Sequence, residues 1–178
     1  MWKPVKIILP VTFVLICFSS FAQGTNKVNL YTPAEKAETE IAKATSEAKK
    51  TGKHVLLQVG GNWCTWCIRF HDYVAKDKQL DSLMNMNYVV YHLNYSKENF
   101  NKKLMSKYRF PQRFGFPVFL VLDADGNLIH TQNSWYLEDG KTSYDREKIK
   151  AFLRIGVQKY LILLYTRNSN GIKLSIFC

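Results

Sequence analysis

The sequence predicts one α/β domain in which helices flank a central mixed sheet, mostly parallel and closed by a C-terminal antiparallel hairpin. Short apolar runs bounded by turn residues are typical of strands covered on both faces, and HVLLQV and NYVVYHLN have this pattern. Segments with helical spacing alternate with these runs, which implies right-handed crossovers between parallel strands. Two further apolar runs flank Asp125-Gly126, a strong hairpin signal.

The first 22 residues have the pattern of a secretory signal peptide. Two lysines precede an apolar stretch from Ile7 to Phe18, and Ser20-Phe21-Ala22 offers small residues for cleavage after position 22. An uncleaved membrane anchor is the alternative, but the stretch is short for a span of about 20 residues. We therefore expect a periplasmic or secreted protein, with residues 23–160 as the folded domain and residues 161–178 as an extension of unknown structure.

The chain is basic, and its composition bears on its partners. The net charge of +11 falls to +9 when Lys3 and Lys6 leave with the signal peptide. The basic excess lies between Lys97 and Arg113 and from Lys148 onward. An exported protein rarely meets nucleic acid, so we expect no such partner. The charge instead favours solubility, acidic partners and peripheral association with an acidic membrane surface.

The predicted elements begin with a short edge strand from Val28 to Tyr31. A helix follows with clear start signals: Thr32 as N-cap, Pro33 at the first helical position and Glu35 three residues after the cap. This helix is expected to end at Gly52, because glycine is the preferred residue just after a helix. The apolar run KHVLLQV then forms a central strand.

The residues after Cys64 have the spacing of a helix with one buried face, continuing brokenly to about residue 84. The apolar face comprises Trp66, Cys67, Phe70, Tyr73 and Val74. A second strand at residues 87–94 and a crossover helix from Lys97 to Tyr108 come next. After the hairpin, a last helix is predicted from Ser143 to Tyr160.

The spacing of Cys64 and Cys67 in GGNWCTWC fits a redox couple, a metal half-site or a structural staple. A staple is a poor explanation, because so short a loop gains little from cross-linking. A metal site needs more ligands; there is no second CxxC, and His71 is the histidine spaced to join the pair in a copper or zinc binding module. The redox couple is favoured, and the metal module stays open as the alternative.

Three motifs together indicate a family. WCTWC at a strand-to-helix junction, GFP before an apolar strand and the hairpin DADGN occur in this order over roughly residues 30–160. In these features the chain resembles exported thioredoxin-like thiol-disulfide oxidoreductases. The resemblance implies the thioredoxin fold, exchange with protein or small-molecule disulfides and a separate redox partner. It implies no organic cofactor, since the cysteine pair is itself the redox group.

The resemblance also assigns roles to residues. Cys64, at a helix N-terminus that favours the thiolate, is the expected nucleophile, with Arg69 adding positive potential, and Cys67 is the expected resolving thiol. The proline after Phe116 is expected to have a cis peptide bond, and the backbone beside it to pair with the substrate chain. The substrate-binding residues implied in this way are Trp63, Trp66, Phe116 and Pro117.

Two departures from the family pattern bear on the chemistry. Many thioredoxins have a buried aspartate six residues before the first cysteine, and this position is Gln58. Gln58 cannot accept a proton, so deprotonation of Cys67 must use water or another group. Thr65-Trp66 between the cysteines places no histidine beside the thiolate, which favours a reductant or mild exchange catalyst over a strong oxidant.

A third interpretation is a non-catalytic thioredoxin-fold interaction domain, with SWYLEDG at residues 134–140 as its recognition loop. Trp135 and Tyr136 are nevertheless expected to pack into the core or the loop, as aromatic residues usually do. Cys178 is the odd cysteine of the mature chain, and we expect it to remain a free thiol.

Overall fold

The computed structural model of the protein describes residues 29–155. The predicted signal peptide, the predicted extension at residues 161–178 and the end of the predicted last helix lie outside these residues. Short 3-10 helices occupy Pro111–Phe114 and Ser134–Leu137. The other elements are α1 (Ala37–Thr51), β1 (His54–Gly60), α2 (Thr65–Lys76), α3 (Lys78–Asn87), β2 (Tyr88–Asn94), α4 (Lys102–Lys107), β3 (Val118–Leu122), β4 (Leu128–Asn133) and α5 (Arg146–Leu153).

The described strands form one mixed sheet in the order β2-β1-β3-β4. β1 runs parallel to β2 and antiparallel to β3, and β3 runs antiparallel to β4. The expectation of a mostly parallel sheet is therefore wrong for these strands, because one of their three pairings is parallel. The six residues of α4 span about 9 Å, against about 23 Å for β2, so they do not carry the chain back along the sheet. β3 accordingly starts at the end where β2 stops.

Helices cover both faces of the sheet. On one face the buried residues of α1 and α4 pack against Val55, Leu57 and Val59 of β1. On the other face Leu56 of β1 belongs to a second core that includes buried residues of α2, α3 and α5. Burial on both faces explains why the central strands are apolar at nearly every position.

The start of the first helix differs from the prediction. Residues 29–31 carry no strand, and the carbonyl of Thr32 accepts a hydrogen bond from the backbone N–H of Glu35, 3.2 Å away, which forms a turn. α1 begins later, at Ala37, and has no side-chain cap. The end is as predicted: Gly52 is left-handed, with φ of 69°, and its N–H donates to the carbonyl of Ala48.

The predicted crossover helix is shortened by polar side chains. The Asn94 amide donates to the carbonyl of Asn99 at 2.9 Å, and the side chain of Asn99 accepts from the N–H of Asn101 at 3.0 Å. Asn101 is itself left-handed, with φ of 45°. Such side-chain to backbone bonds compete with helix formation, so α4 starts only at Lys102.

The hairpin and the last helix fit their predictions more closely. One carboxylate oxygen of Asp123 accepts from the N–H groups of Asp125 and Asn127, and Gly126 supplies the positive φ of the turn. α5 starts at Arg146 after the cap residue Asp145, three residues later than predicted.

Across residues 29–155 no helix has both the length and the apolar character that a membrane span requires.

Candidate active site

The two cysteines of the CxxC motif form a disulfide at the junction between β1 and α2. Cys64 is the N-cap of α2, and its sulfur accepts a hydrogen bond from the N–H of Cys67 at 3.1 Å. Cys64 is 5% exposed, whereas Cys67 is fully buried. The sulfur that a second molecule reaches first is therefore that of Cys64.

The surroundings of Cys64 favour a negative charge on its sulfur after reduction. The positive end of the helix dipole lies at the start of α2, whose first turn has no acidic residue. This position lowers the free energy of a thiolate relative to a thiol. Arg69 lies further along the same helix, with its guanidinium 4.6 Å from the centre of the Trp66 ring.

The expected substrate-binding residues lie together beside the disulfide. The Phe116–Pro117 peptide bond is cis, and Phe116 and Trp66 both pack against the buried cluster that contains the two cysteines. Trp63 meets Phe116 edge to face, with ring centroids 5.3 Å apart, and its indole N–H donates to the carbonyl of Tyr95 at 2.9 Å. Trp63 remains 56% exposed, so its ring is available to a bound chain.

Trp66 differs from the other three residues because it also packs against the second core of the fold. Its ring is half-buried and meets Tyr144 edge to face, with centroids 5.4 Å apart. The Tyr144 hydroxyl also donates to the carbonyl of Trp66 at 3.1 Å. Trp66 thus packs the start of α2 against the segment before α5 and presents less surface than Trp63.

A groove of about 690 Å³ runs beside α2 on one side of Trp63 and is lined in part by Asn62, Arg69 and Asp72. A smaller one, of about 330 Å³, lies on the other side of Trp63 and includes Tyr95 and Phe100. The exposed indole therefore stands between two concave surfaces next to the disulfide.

The structure adds a residue to the site that the sequence interpretation placed in a strand. Tyr31 is buried in one cluster with the two cysteines. Asn62 holds it in place: the side-chain oxygen of Asn62 accepts from the N–H of Tyr31 at 3.0 Å, and the amide nitrogen donates to its carbonyl at 2.8 Å. The signal in the sequence is GGN, immediately before WC.

Gly60 makes this close approach possible. A Cβ at this position would collide with the sulfur of Cys67 and would lie 2.8 Å from the Tyr31 hydroxyl oxygen. The cysteine sulfur and the tyrosine hydroxyl thus border the same space, which exists because residue 60 has no side chain.

Gln58 occupies the position of the family's buried aspartate and is 2% exposed. Its amide nitrogen donates to the Tyr31 hydroxyl at 2.9 Å and to the carbonyl of Cys67 at 3.0 Å. A neutral amide therefore joins the tyrosine to the first turn of α2.

The metal site considered from the sequence is not formed by the described residues. Among residues 29–155 no three His, Cys, Asp or Glu side chains are grouped so as to hold a metal ion. His71 instead lies against His92, with ring centroids 5.8 Å apart. Burial, and secondarily the charge of His71, lowers the pKa of His92 to about 4.

Comparison with known families agrees with this geometry. The family model described as a thioredoxin-like domain matches residues 41–135, which is more than half of the chain. The chain belongs to the thioredoxin-like domain family. With its CxxC disulfide at the start of a helix, this thioredoxin-like protein is a thiol-disulfide oxidoreductase.

Several solved structures resemble this thioredoxin-like protein. A disulphide isomerase from Xylella fastidiosa Temecula1 is 26% identical, with a TM-score of 0.62 over 72% of this chain and 97% of that one. A DsbH oxidoreductase is 19% identical, with a TM-score of 0.45 over 64% and 81% of the two chains. The C-terminal domain of DsbD from Neisseria meningitidis, in its oxidised form, is 18% identical, with a TM-score of 0.42 over 67% and 94%. No curated protein matches the sequence significantly.

Proposed function

We propose that this protein is exported and reduces or exchanges disulfides in polypeptide substrates, with Cys64 as the nucleophile and Cys67 as the resolving thiol. One observation carries the proposal: Cys64, which caps a helix with its sulfur, is slightly exposed, whereas its disulfide partner is fully buried. A substrate meets Cys64 first, and Cys67 reacts only within the protein.

The reaction starts from the reduced pair. The thiolate of Cys64 attacks one sulfur of a substrate disulfide, and the other substrate sulfur leaves with the bonding electron pair and takes a proton from water. Cys67, after losing its proton, then attacks Cys64 and releases the second substrate sulfur. The substrate gains two electrons, and the protein returns to the disulfide form. A separate dithiol must reduce it again.

The residues proposed to bind the substrate surround this sulfur. The backbone at Phe116 and Pro117 is proposed to pair with an extended substrate chain, and Trp63 to cover an apolar side chain next to the substrate cysteine. Trp66, half-buried against Tyr144, is proposed to contact the substrate with the exposed part of its ring.

Exposed aromatic residues favour a polypeptide over a small-molecule substrate. Four strand termini meet at one end of the sheet, namely the ends of β1, β2 and β4 and the start of β3. The pairings there join Gly60 to Asn94, Val59 to Val118, and Val118 to Asn133. The segments at this end carry most of the large exposed hydrophobic residues of the described chain: Trp63, Phe100, Phe110, Phe114, Trp135 and Tyr136. A surface this broad suits an unfolded chain with apolar side chains.

Two of these residues correct an expectation from the sequence. Trp135 and Tyr136 were expected to be packed, yet they are 76% and 75% exposed. They lie in the 3-10 helix that follows β4, where the side chain of Asn133 caps the N–H of Trp135 and the flanking residues Ser134 and Leu137 take the buried positions. Their exposure also favours the alternative of an interaction domain. Insulin reduction by wild-type protein and by Cys64→Ser separates that alternative from catalysis.

The sequence supports export of the chain and a reducing rather than an oxidising reaction. The signal-like pattern of the first 22 residues supports export to the periplasm or the medium, and the net charge of +9 after cleavage supports attraction to acidic partners or an acidic membrane surface. The absence of histidine between the cysteines supports reduction or mild exchange over strong oxidation.

An insulin-reduction assay with glutathione as electron donor tests the proposal. We expect the wild-type protein to accelerate reduction, Cys64→Ser to fall to the uncatalysed rate, and Cys67→Ser to accumulate a mixed disulfide through Cys64.

In a second arm, the full-length chain is expressed in bacteria, and the exported form is expected to begin at Gln23. Equal rates for wild-type protein and Cys64→Ser would favour the interaction domain, and an unprocessed chain retained in the cytoplasm would contradict export.

A further inference from the structure

Many thioredoxins have a buried aspartate at the position of Gln58, and this protein lacks that carboxylate. Another group must therefore favour ionisation of the resolving thiol, Cys67. Burial in apolar surroundings raises the pKa of a thiol, and Cys67 is fully buried. Gln58, in the position of the aspartate, is a neutral amide and cannot accept the proton of the thiol. A thiol in this position needs a hydrogen-bond donor that stabilises its anion.

The hydrogen bonds of Gln58 show that the Tyr31 proton is not donated to Gln58. A peptide carbonyl only accepts hydrogen bonds, so the bond to the carbonyl of Cys67 fixes the amide nitrogen, not the oxygen, on this side of Gln58. The same nitrogen donates to the hydroxyl oxygen of Tyr31. The tyrosine oxygen is thus an acceptor in this bond, and its own proton is left to be donated elsewhere.

The tyrosine hydroxyl and the sulfur of Cys67 lie around one small buried space. Both atoms border the position of the missing Cβ of Gly60, and the two side chains belong to one buried cluster. The two hydrogen bonds between the Asn62 side chain and the backbone of Tyr31 fix that backbone. Tyr31 is therefore already in place beside Cys67 before the substrate binds.

We propose that Tyr31 is a catalytic residue whose hydroxyl donates a hydrogen bond to the thiolate of Cys67 and thereby replaces the family's carboxylate by a different route. The proposal rests on the proposed role of Cys67 as the resolving thiol. A carboxylate would take the proton from the thiol. Tyr31 keeps its proton and stabilises the anion that remains, while the proton of Cys67 passes to water.

In the resolving step, the thiolate of Cys67 forms a bond to the sulfur of Cys64, and the bond between Cys64 and the substrate breaks. The electron pair of that bond leaves with the substrate sulfur, which is protonated by water. The hydrogen bond from Tyr31 acts before this attack, by increasing the fraction of Cys67 that is ionised.

The titratable groups around the tyrosine are compatible with this role. Burial raises the pKa of Tyr31 well above its ordinary value, so the hydroxyl stays protonated where thiols ionise. The pKa of His92, whose ring lies 5.5 Å from that of Tyr31, is about 4, so this histidine is neutral in the same range. His71 lies beyond His92, and Arg69 contacts Trp66 on α2. Tyr144, which bonds the carbonyl of Trp66, interacts electrostatically with Tyr31 but stays protonated in the same range, because burial raises its pKa.

The test is a pH titration of Cys67 in the mature chain. Ultraviolet thiolate absorbance is followed in Cys64→Ser, and the signal of Cys64→Ser/Cys67→Ala is subtracted so that Cys178 cancels. Adding Tyr31→Phe is expected to raise the apparent pKa of Cys67 by about one unit or more, because a bond to a charged group is lost. Tyr144→Phe is the matched control: it removes a buried hydroxyl that bonds α2 at Trp66, and no shift is expected.

Kinetics supply a second readout. With both cysteines present, Tyr31→Phe is expected to resolve the mixed disulfide about ten-fold more slowly at neutral pH, with no change in the rate of attack by Cys64. An unmoved titration of Cys67, or equal shifts in Tyr31→Phe and Tyr144→Phe, would overturn the proposal. Failure of the wild-type protein to reduce insulin would overturn the proposed function instead and would leave the titration interpretable.

Discussion

At the scale of single residues, His92 couples the site to the stability of the fold. Its imidazole is largely buried between Tyr31 and His71, and its pKa is lowered to about 4 from an ordinary value of 6.5. The unfolded chain therefore binds a proton near pH 6 that the folded protein does not bind. The contribution to stability is complete above pH 6.5 and declines as pH falls towards 4.

We predict that His92→Gln weakens the pH dependence of the free energy of unfolding between pH 6.5 and 4. The wild-type protein should lose about 3 kcal/mol through this histidine over that range, because each pKa unit corresponds to about 1.4 kcal/mol. Urea unfolding at several pH values measures the difference. NMR titration of His92 with a midpoint near 6.5 would contradict the prediction.

At the scale of elements, the end of β1 is built around a missing side chain. Gly60 is the last residue of the strand, and the disulfide and Tyr31 close over it. We predict that Gly60→Ala destabilises the fold by about 1–3 kcal/mol, since the added methyl group overpacks this site. Denaturant unfolding measures the change.

A double-mutant cycle identifies the contact responsible. In a background of Cys64→Ala/Cys67→Ala, which removes the sulfur facing Gly60, the same Gly60→Ala substitution is expected to cost less. The difference between the two costs reports the coupling between residue 60 and the sulfur. Equal costs in both backgrounds would show that the disulfide is not what excludes a side chain at Gly60, and would leave Tyr31 or the strand as the cause.

The elements that the sequence predicted well are those whose signals are local. The buried run of β1, the C-terminal glycine of α1 and the Asp125-Gly126 hairpin each depend on a few adjacent residues. The start of α1 was misplaced because Thr32 and Glu35, which have the spacing of a helix cap, form an isolated turn. α4 was predicted too long because the bonds among Asn94, Asn99 and Asn101 become visible only after β2 has positioned them.

At the scale of the whole molecule, the site combines local and distant contributions. CxxC, the cis-proline and Trp63 were accessible from the sequence because each lies in a recognisable motif. Tyr31 was not, since its place beside Cys67 depends on a hydrogen-bonded pair 31 residues apart in the chain, between Tyr31 and Asn62. The direction of β3 was missed for the same kind of reason: it depends on the length of a connection and not on the strand's own pattern.

Within residues 29–155 the disulfide and the cis peptide bond lie at one end of the sheet. The segments that begin or end there carry the exposed aromatic residues Trp63, Phe100, Phe110, Phe114, Trp135 and Tyr136. Six basic residues and one acidic residue between positions 97 and 113 lie in the connection that leaves β2 and leads to β3 at this end. We infer that a substrate chain with apolar and acidic side chains around its cysteine suits this surface best.

Equilibration of the folded protein with glutathione redox buffers, with alkylation and mass analysis, tests the central claim most directly. If Cys64 and Cys67 are a reductant or mild exchange couple, both cysteines convert together in one two-electron transition. We expect its potential to lie nearer the value of thioredoxin, about −270 mV, than that of a strong oxidant, about −120 mV. A disulfide that resists reduction in the folded protein, or a potential near the oxidant's value, would contradict the account.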